Sequence, residues 1–519
     1  MKNLTFHLFL IAIFLGLFSS LYSQKRSEKR GVSYEIPYVE DLPVLSKGVS
    51  WFYNWGVAPG ISSVAAAYPE YLDYVPMVWN NGYDRTELRN FLSSHPNVKY
   101  ILGFNEPNFT AQANMGPAKA AAAWPELETI AAEFNLKIVG PAVNYAPAGN
   151  GSVTENGVNY SDPIKYYDAF FAACPTCKVD FIAIHSYMND PAALLWYVDQ
   201  FINKYNKQIW LTEFCAWENS KPLTTNRTEG TAYQKNAMVR KVEQLELNPM
   251  VVKYAWFIPR TTNEIGFPYM QLLRNVNNDP SYEIVGPGVL TDLGKIYVNM
   301  SSFDSTHYFG LNEKIPAKDY MQSFYVQLES TTDSESTIPI QIAGFEGGIY
   351  TDYFVDIPSQ GQYQLSLRIA NKAVVNPKFT ISSNGIELTT QEVASTGGVD
   401  TWQVRTFPLT LAAGKQTIRI SSNGLSGCKL LWLNFSETTG INDTQDLSVK
   451  VFTNENNHLY IQSSEKILKV SIFDFRGKIL LQKPLVCDID LTAFEKGLYI
   501  VQVDIENGNR STTKFQINK

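Results

Sequence analysis

Residues 100–143 read YILGFNEPNFTAQANMGPAKAAAAWPELETIAAEFNLKIVGPAV. An apolar run at 100–104 stops at Asn105-Glu106-Pro107-Asn108, a helix pattern covers 117–134, and a second apolar run follows at 138–143. Neither run alternates between apolar and polar, so each reads as a strand buried on both faces. Two such strands joined by a helix make a parallel pair that a helix covers. The same unit recurs outward in both directions. Further apolar runs lie at 49–55, 75–79, 179–184, 209–214 and 252–258, with helix patterns at 85–92, 163–173, 191–205 and 231–247. Repeated β-α units over this length predict an α/β fold of the (β/α)8, TIM-type, barrel class. Seven strands are recognisable, and the eighth is expected as a short strand between Trp55 and Tyr74.

The rest of the chain is organised differently. From 315 to 437 strand alternation dominates and Gly and Asn mark the turns, as at Asn384-Gly385 and Asn423-Gly424, which predicts a β-sandwich. Residues 438–447 are polar and read as a linker, and 448–519 read as a small all-β module. At the other end, Lys2 precedes an apolar stretch at 6–17 and then small polar residues, the pattern of an export signal cut near Gln24. The expected division is therefore a signal peptide at 1–24, a barrel at 25–310, a sandwich at 311–437, a linker at 438–447 and a C-terminal module at 448–519. No later run is long enough for a transmembrane segment.

With 519 residues, 45% hydrophobic and 18% charged, the chain is globular in composition. Its net charge of −7 and lack of a basic patch argue against nucleic acid as a partner. Among the five cysteines, Cys174 and Cys177 are three apart. In an exported chain that spacing predicts a local disulfide, and no ligand set with metal-site spacing accompanies it. No metal and no cofactor are expected.

Two strand ends carry the chemistry. Glu106 follows the run at 100–104, and Glu213 ends Trp210-Leu211-Thr212-Glu213-Phe214, three recognisable strands later. Barrel active sites form at the C-terminal strand ends, so both carboxylates should face one cleft. A glycosidic bond is cleaved by such a pair, one carboxyl protonating the leaving oxygen while the other attacks or activates water. The 10 Trp and 29 Tyr suit contact with the apolar faces of sugar rings, although aromatic cores account for them equally well.

These motifs resemble glycoside hydrolase family 128, a clan A family of β-1,3-glucanases. The likeness is carried by Gly48-Val49-Ser50-Trp51-Phe52-Tyr53-Asn54-Trp55, by Gly103-Phe104-Asn105-Glu106-Pro107-Asn108, by residues 177–187 ending in His185-Ser186-Tyr187, and by Trp210 to Phe214. The resemblance implies a β-glucan substrate, Glu106 as acid/base following strand four, and Glu213 as nucleophile following strand seven. It implies that Asn105 bonds the sugar 2-hydroxyl and that Trp256 floors the subsite of cleavage. Either His185 or Tyr187 would orient Glu213 or contact the sugar, with a satisfied core histidine as the alternative for His185. Trp51, Trp55 and Trp79 are further platform candidates, some of which must be core.

The sandwich resembles a family 6 carbohydrate-binding module, through residues 315–320, 353–358, 361–363, 411–416 and 432–435. Pro316 and Lys318 stand where such modules often carry Glu, Val399 where a stacking Trp is common, and Lys429 and Leu431 at polar Asn positions. The C-terminal module resembles the sorting domain of type IX secretion, through Val470 to Lys478, Leu491, Lys496 to Val503, Lys514 and Lys519. That likeness implies secretion machinery as a partner.

Overall fold

The structure is a computed structural model. It describes residues 24–216, 223–261, 270–275, 284–345, 347–373, 375–424, 427–437, 449–453, 458–463, 465–506 and 510–517, with backbone alone at 223–231. The expected export signal, up to residue 23, and the expected linker at 438–447 lie outside the described residues. Two compact units result, 1–436 and 437–519.

Strands and helices alternate through the first 300 residues. They are β1 Arg30–Ser33, α1 Asp41–Leu45, β2 Trp51–Tyr53, α2 Ser62–Ala67, β3 Asp73–Tyr74, α3 Arg85–Ser94, β4 Tyr100–Leu102 and α4 Pro117–Glu133. There follow β5 Lys137–Val139, α5 Pro163–Ala173, β6 Ile182–Ser186, α6 Pro191–Tyr205, β7 Ile209–Phe214, α7 Leu223–Leu247, β8 Val251–Trp256 and α8 Asp292–Asn299. Local chemistry sets the helix starts. Asp84, Asp162, Asp190 and Thr291 cap α3, α5, α6 and α8 by accepting from backbone N–H groups that have no partner inside the helix. Pro117, Pro163 and Pro191 open their helices, where a missing N–H costs nothing.

Six strands form one parallel sheet in the order β3-β2-β1-β8-β7-β6, and β4 pairs in parallel with β5. Isolated parallel bridges join Met77 to Leu102, Val139 to Phe181 and Val143 to Ile184. Inward side chains form their own cluster, with Trp51, Tyr53, Met77, Leu102, Val139, Ala183, Trp210 and Ala255 among its members.

One expectation needs correction. The strand missing from the sequence pattern is β1, at 30–33, and not a strand between Trp55 and Tyr74. That stretch holds α2, a 3-10 turn at Tyr68–Glu70 and, at its very end, β3, which is the strand already counted from the run at 75–79. β1 escapes a search for apolar runs because it is four residues long and opens on a buried Arg. The Arg30 guanidinium donates to the carbonyls of Tyr297 and Ser301 and pairs with Glu246, which offsets the cost of burying it.

Residues 315–437 fold as two antiparallel sheets. One runs 327–330, 340–345, 428–437, 361–370, 402–411, and the other 322–324, 350–357, 414–422, 378–383, 386–392. Their buried side chains belong to the same hydrophobic cluster as the outer layer of the α/β region. Polar contacts cross the seam as well. Glu243 of α7 accepts from both the Ser323 amide and hydroxyl at 2.6 Å, Ser330 donates to Asp292 at 2.8 Å, and the Arg240 guanidinium lies 4.3 Å from the Tyr325 ring centre. Gln24 accepts from Ser301 on one side and donates to the Asp319 carbonyl on the other. The second unit is all β, with sheets ordered 449–453, 458–463, 488–490 and 479–484, 467–473, 497–505, 510–517 around a core of its own.

Candidate active site

Depth along one strand sets the first part of the site. Trp51, Tyr53 and Trp55 alternate along β2 and its extension, so all three point inward at successive heights. Trp51 sits at the base, fully buried, donating to the Lys29 carbonyl and packed against Trp210. Tyr53 reaches Glu213 Oε1 at 3.2 Å. Trp55 stands at the mouth, where its indole N–H donates to the same oxygen at 2.8 Å.

Glu106 is delivered by β4. Gly103 is required by close approach, since a Cβ there would lie 2.8 Å from the Trp124 ring and 3.0 Å from the Val139 carbonyl. The chain then passes between two neighbours: Asn105 N–H bonds the Trp79 carbonyl and Glu106 N–H the Ala142 carbonyl. Glu106 adopts a φ of 38°, in the left-handed region that non-glycine residues seldom occupy. Asn108, fully buried, ties the loop beyond by donating to the Asn144 and Tyr160 carbonyls.

β6 and β7 supply the other half. His185 Nδ1 lies 3.0 Å from Glu106 Oε1 and 3.4 Å from Glu213 Oε2. The Tyr187 hydroxyl donates to Glu213 Oε2. One oxygen of Glu106, one of Glu213 and a His185 ring nitrogen all fall within 4.8 Å of one another. That spacing could also hold a metal ion, but three N–H or O–H donors already aim at Glu213, the environment of an anion held without one. A cleft of about 510 Å3 opens over the two carboxylates, walled by Trp55, Trp79, Asn105, Phe109, Tyr145 and Phe257.

Burial pushes the Glu213 carboxyl above its ordinary value; His185 pulls it down, Glu106 pushes it up, and the Tyr187 and Trp55 donors pull it down again. Burial works to lower the His185 imidazole, yet Glu213 and Glu106 outweigh it and leave it raised. Burial and then Glu213 drive the Tyr53 and Tyr187 phenols well above their usual range, which keeps both as donors.

The structure thus brings together Glu106, Glu213, Asn105, His185, Tyr187, Trp55 and Trp79. Two candidates stand elsewhere. Trp51 is core, as its depth requires. Trp256 points outward from β8, fully buried, donating to the Met270 carbonyl and packed edge-on against Phe214. Inward parity on β8 belongs to Lys253, Ala255 and then Phe257, and Phe257 is the aromatic that lines the cleft. Tyr53 and Phe257 went unpredicted, although counting by twos from Trp51 or Ala255 reaches both. Cys174 and Cys177 are joined by a disulfide. In the sandwich, Leu431 is buried and the Lys429 ammonium is paired with Glu329 and Asp400.

Comparison with known proteins locates three matches along the chain. Residues 31–297 match the glycosyl hydrolase catalytic core, 316–437 the carbohydrate binding module (family 6), and 454–518 the secretion system C-terminal sorting domain. The chain is 29% identical over 283 residues to alkali-sensitive linkage protein 1 of Schizosaccharomyces pombe, covering 52% of this chain but only 44% of that relative's length. Two solved family 128, subgroup II, endo-β-1,3-glucanases are also similar. The one from Sorangium cellulosum is 35% identical, over 52% of this chain and 98% of that one, with a TM-score of 0.42. The one from Pseudomonas viridiflava is 36% identical, over 53% and 98%, with a TM-score of 0.43. The sorting domain marks the chain for type IX secretion to the cell surface or beyond. No helix among the described residues is long and apolar enough to cross a membrane.

Proposed function

The chain belongs to the glycosyl hydrolase catalytic core family, and on that premise we propose that it is a retaining endo-β-1,3-glucanase built on a (β/α)8 barrel. The bridges Met77 to Leu102, Val139 to Phe181 and Val143 to Ile184 support the closed barrel, because they link β3 to β4 and β5 to β6 where the ladders stop. The β-1,3 linkage is supported by sequence: 35% and 36% identity across nearly the whole of two such enzymes.

One observation carries the mechanism. A Glu106 oxygen and a Glu213 oxygen lie within 4.8 Å of each other across one cleft. Retaining enzymes hold their carboxyl groups about 5–5.5 Å apart, whereas inverting ones need about 6.5–9.5 Å to admit a water. Glu213 accepts from Tyr53, Trp55 and Tyr187, which aim it and suit an attacking carboxylate. Glu106 has one oxygen against His185, leaving the other for the glycosidic oxygen. In the first step Glu213 bonds to the anomeric carbon while Glu106 gives its proton to the departing oxygen. In the second, Glu106 takes a proton from water as that water displaces Glu213. Asn105 Oδ1, buried and unpaired among the described residues, is placed to accept from a sugar hydroxyl.

Glu213→Gln is expected to abolish turnover of linear β-1,3-glucan. Glu106→Gln is expected to spare substrates with an activated leaving group and to regain turnover with azide, giving a β-glycosyl azide. Proton NMR of the first product decides the stereochemistry: an α-anomer appearing first would make Glu213 a base that activates water. Products of a single length would indicate exo action, and preferential cleavage of β-1,4 or mixed-linkage glucan would reassign the substrate. A barrel that bound glucan without cutting it would be a surface lectin, a role for which neither carboxylate is needed.

A further inference from the structure

Among the described residues, helix α7 gives the cleft no side chain, yet two of its buried polar groups reach the segments that follow β6 and β7. Gln234 and Lys241 are seven residues apart and so lie on the same side of the helix. Gln234 grips Ala216 by both backbone groups, accepting from its N–H at 3.2 Å and donating to its carbonyl. The Lys241 ammonium, fully buried, donates to the Cys215 carbonyl at 2.9 Å and to the Met188 carbonyl. No carboxylate among the described residues pairs with it. Burial lowers it to about 8, so it is charged at neutral pH. Burying an ammonium with no ion-pair partner costs several kcal/mol even where carbonyls accept from it, and an apolar side chain would fill the space without that cost. A lysine here needs a reason.

The two carbonyls supply one. Cys215 is two residues past Glu213, and Met188 is one past Tyr187, whose hydroxyl donates to Glu213. The ladder between these strands is irregular at this level. Ile184 pairs with Leu211 but His185 with Glu213, a shift of one residue. Strand pairing alone therefore does not hold Tyr187 opposite Glu213. Lys241 bridges the two segments from behind and closes a ring of bonds through Tyr187 and Glu213. We propose that Lys241 is a positioning residue for hydrolysis, fixing the ends of β6 and β7 in the register at which Tyr187 aims the Glu213 carboxylate. This inference rests on Glu213 being the nucleophile.

The test uses the full chain on linear β-1,3-gluco-oligosaccharides, with K241M, Y187F and the double variant, each rate divided by the folded fraction from circular dichroism. K241M is expected to lose about 10–100-fold in kcat with KM within about twofold, since a misaimed nucleophile weakens the transition state more than binding. The double variant is expected to be no slower than the slower single one, because both changes break one linkage. K241R, which can donate to both carbonyls, is expected to recover part of the loss. Full kcat per folded K241M molecule, or losses that multiply in the double variant, would overturn the proposal. Should K241M not fold, K241Q, uncharged and shorter, is read by the same criteria. A wild type that leaves β-1,3-glucan intact, or an E213Q that still cleaves it, sinks the functional reading instead and this inference with it.

Discussion

The sandwich and the C-terminal module are both antiparallel β structures of ordinary size, but they are stabilised in opposite ways. Buried side chains of the sandwich, such as Leu328 and Ile342, are continuous with the hydrophobic cluster that coats the outside of the α/β region. The C-terminal module closes around its own core, Leu459, Ile472, Val501 and Ile505 among its members, and it separates as an independent unit at residue 437. A family boundary drawn at 316 is thus a boundary of sequence only, whereas the one near 438 is also physical. The sandwich belongs to the catalytic body, and the last module is cargo label.

Cutting the chain in two places tests this contrast most severely. A 24–310 fragment strips the 327–330 strand from α7 and α8. Each large apolar side chain uncovered costs about 1.5–3 kcal/mol, and a domain has only about 5–15 kcal/mol to lose. The fragment is expected to be insoluble or to lack a cooperative melt by circular dichroism. If it folds and melts like its parent, the sandwich is an ordinary appended domain and the contrast is gone.

A 24–437 fragment is the milder counterpart. Its melting temperature is expected to stay within about 2 °C of that of the same body in the longer protein, with glucanase activity unchanged, because separate cores are largely independent. The parallel deletion in a native-type host, from residue 448 onward with the export signal kept, is expected to abolish surface delivery. Normal delivery after that deletion would remove the sorting role.

The smallest expected effect concerns pH at the seam. Burial raises Glu243 to about 6, ahead of the Ser323 donors that pull it down. A folded-state value above the unfolded value of about 4.5 means that the folded state holds the proton more tightly. That stabilisation is complete below about pH 4.5 and is lost as pH rises through about 6, a change of about 2 kcal/mol. Relative to E243Q, which does not titrate, the wild-type body should lose about that much between pH 4.5 and 7 in urea unfolding, while the transition of the C-terminal unit stays where it was. Parallel pH curves for the two proteins would show that Glu243 does not sense pH across the seam.

Legibility from sequence follows the range of the interaction. Glu106 and Glu213 were readable because strand-end position is a local property: an apolar run stops, and an acid follows. Trp256 misled because a single Trp in a buried strand shows no parity, and only the count from Lys253 through Ala255 to Phe257 reveals which side faces the cleft. β1 was hidden because its Arg30 is satisfied by Tyr297, Ser301 and Glu246, partners more than 200 residues away. The seam was invisible for the same reason. Glu243 and Arg240 look like the solvent face of a helix until residues 323 and 325 are brought against them.

The bond between Glu243 and Ser323 also bears on how such a gene can be reassembled. A recombination crossover near codon 310 would, wherever the other parent lacks the matching serine, join an α7 that carries a buried carboxylate to a sandwich that cannot satisfy it, leaving a desolvated charge at the join. A crossover near codon 440 carries no such debt. Hybrids that survive shuffling should therefore inherit the first two segments as one parental block and draw the last segment freely from either parent.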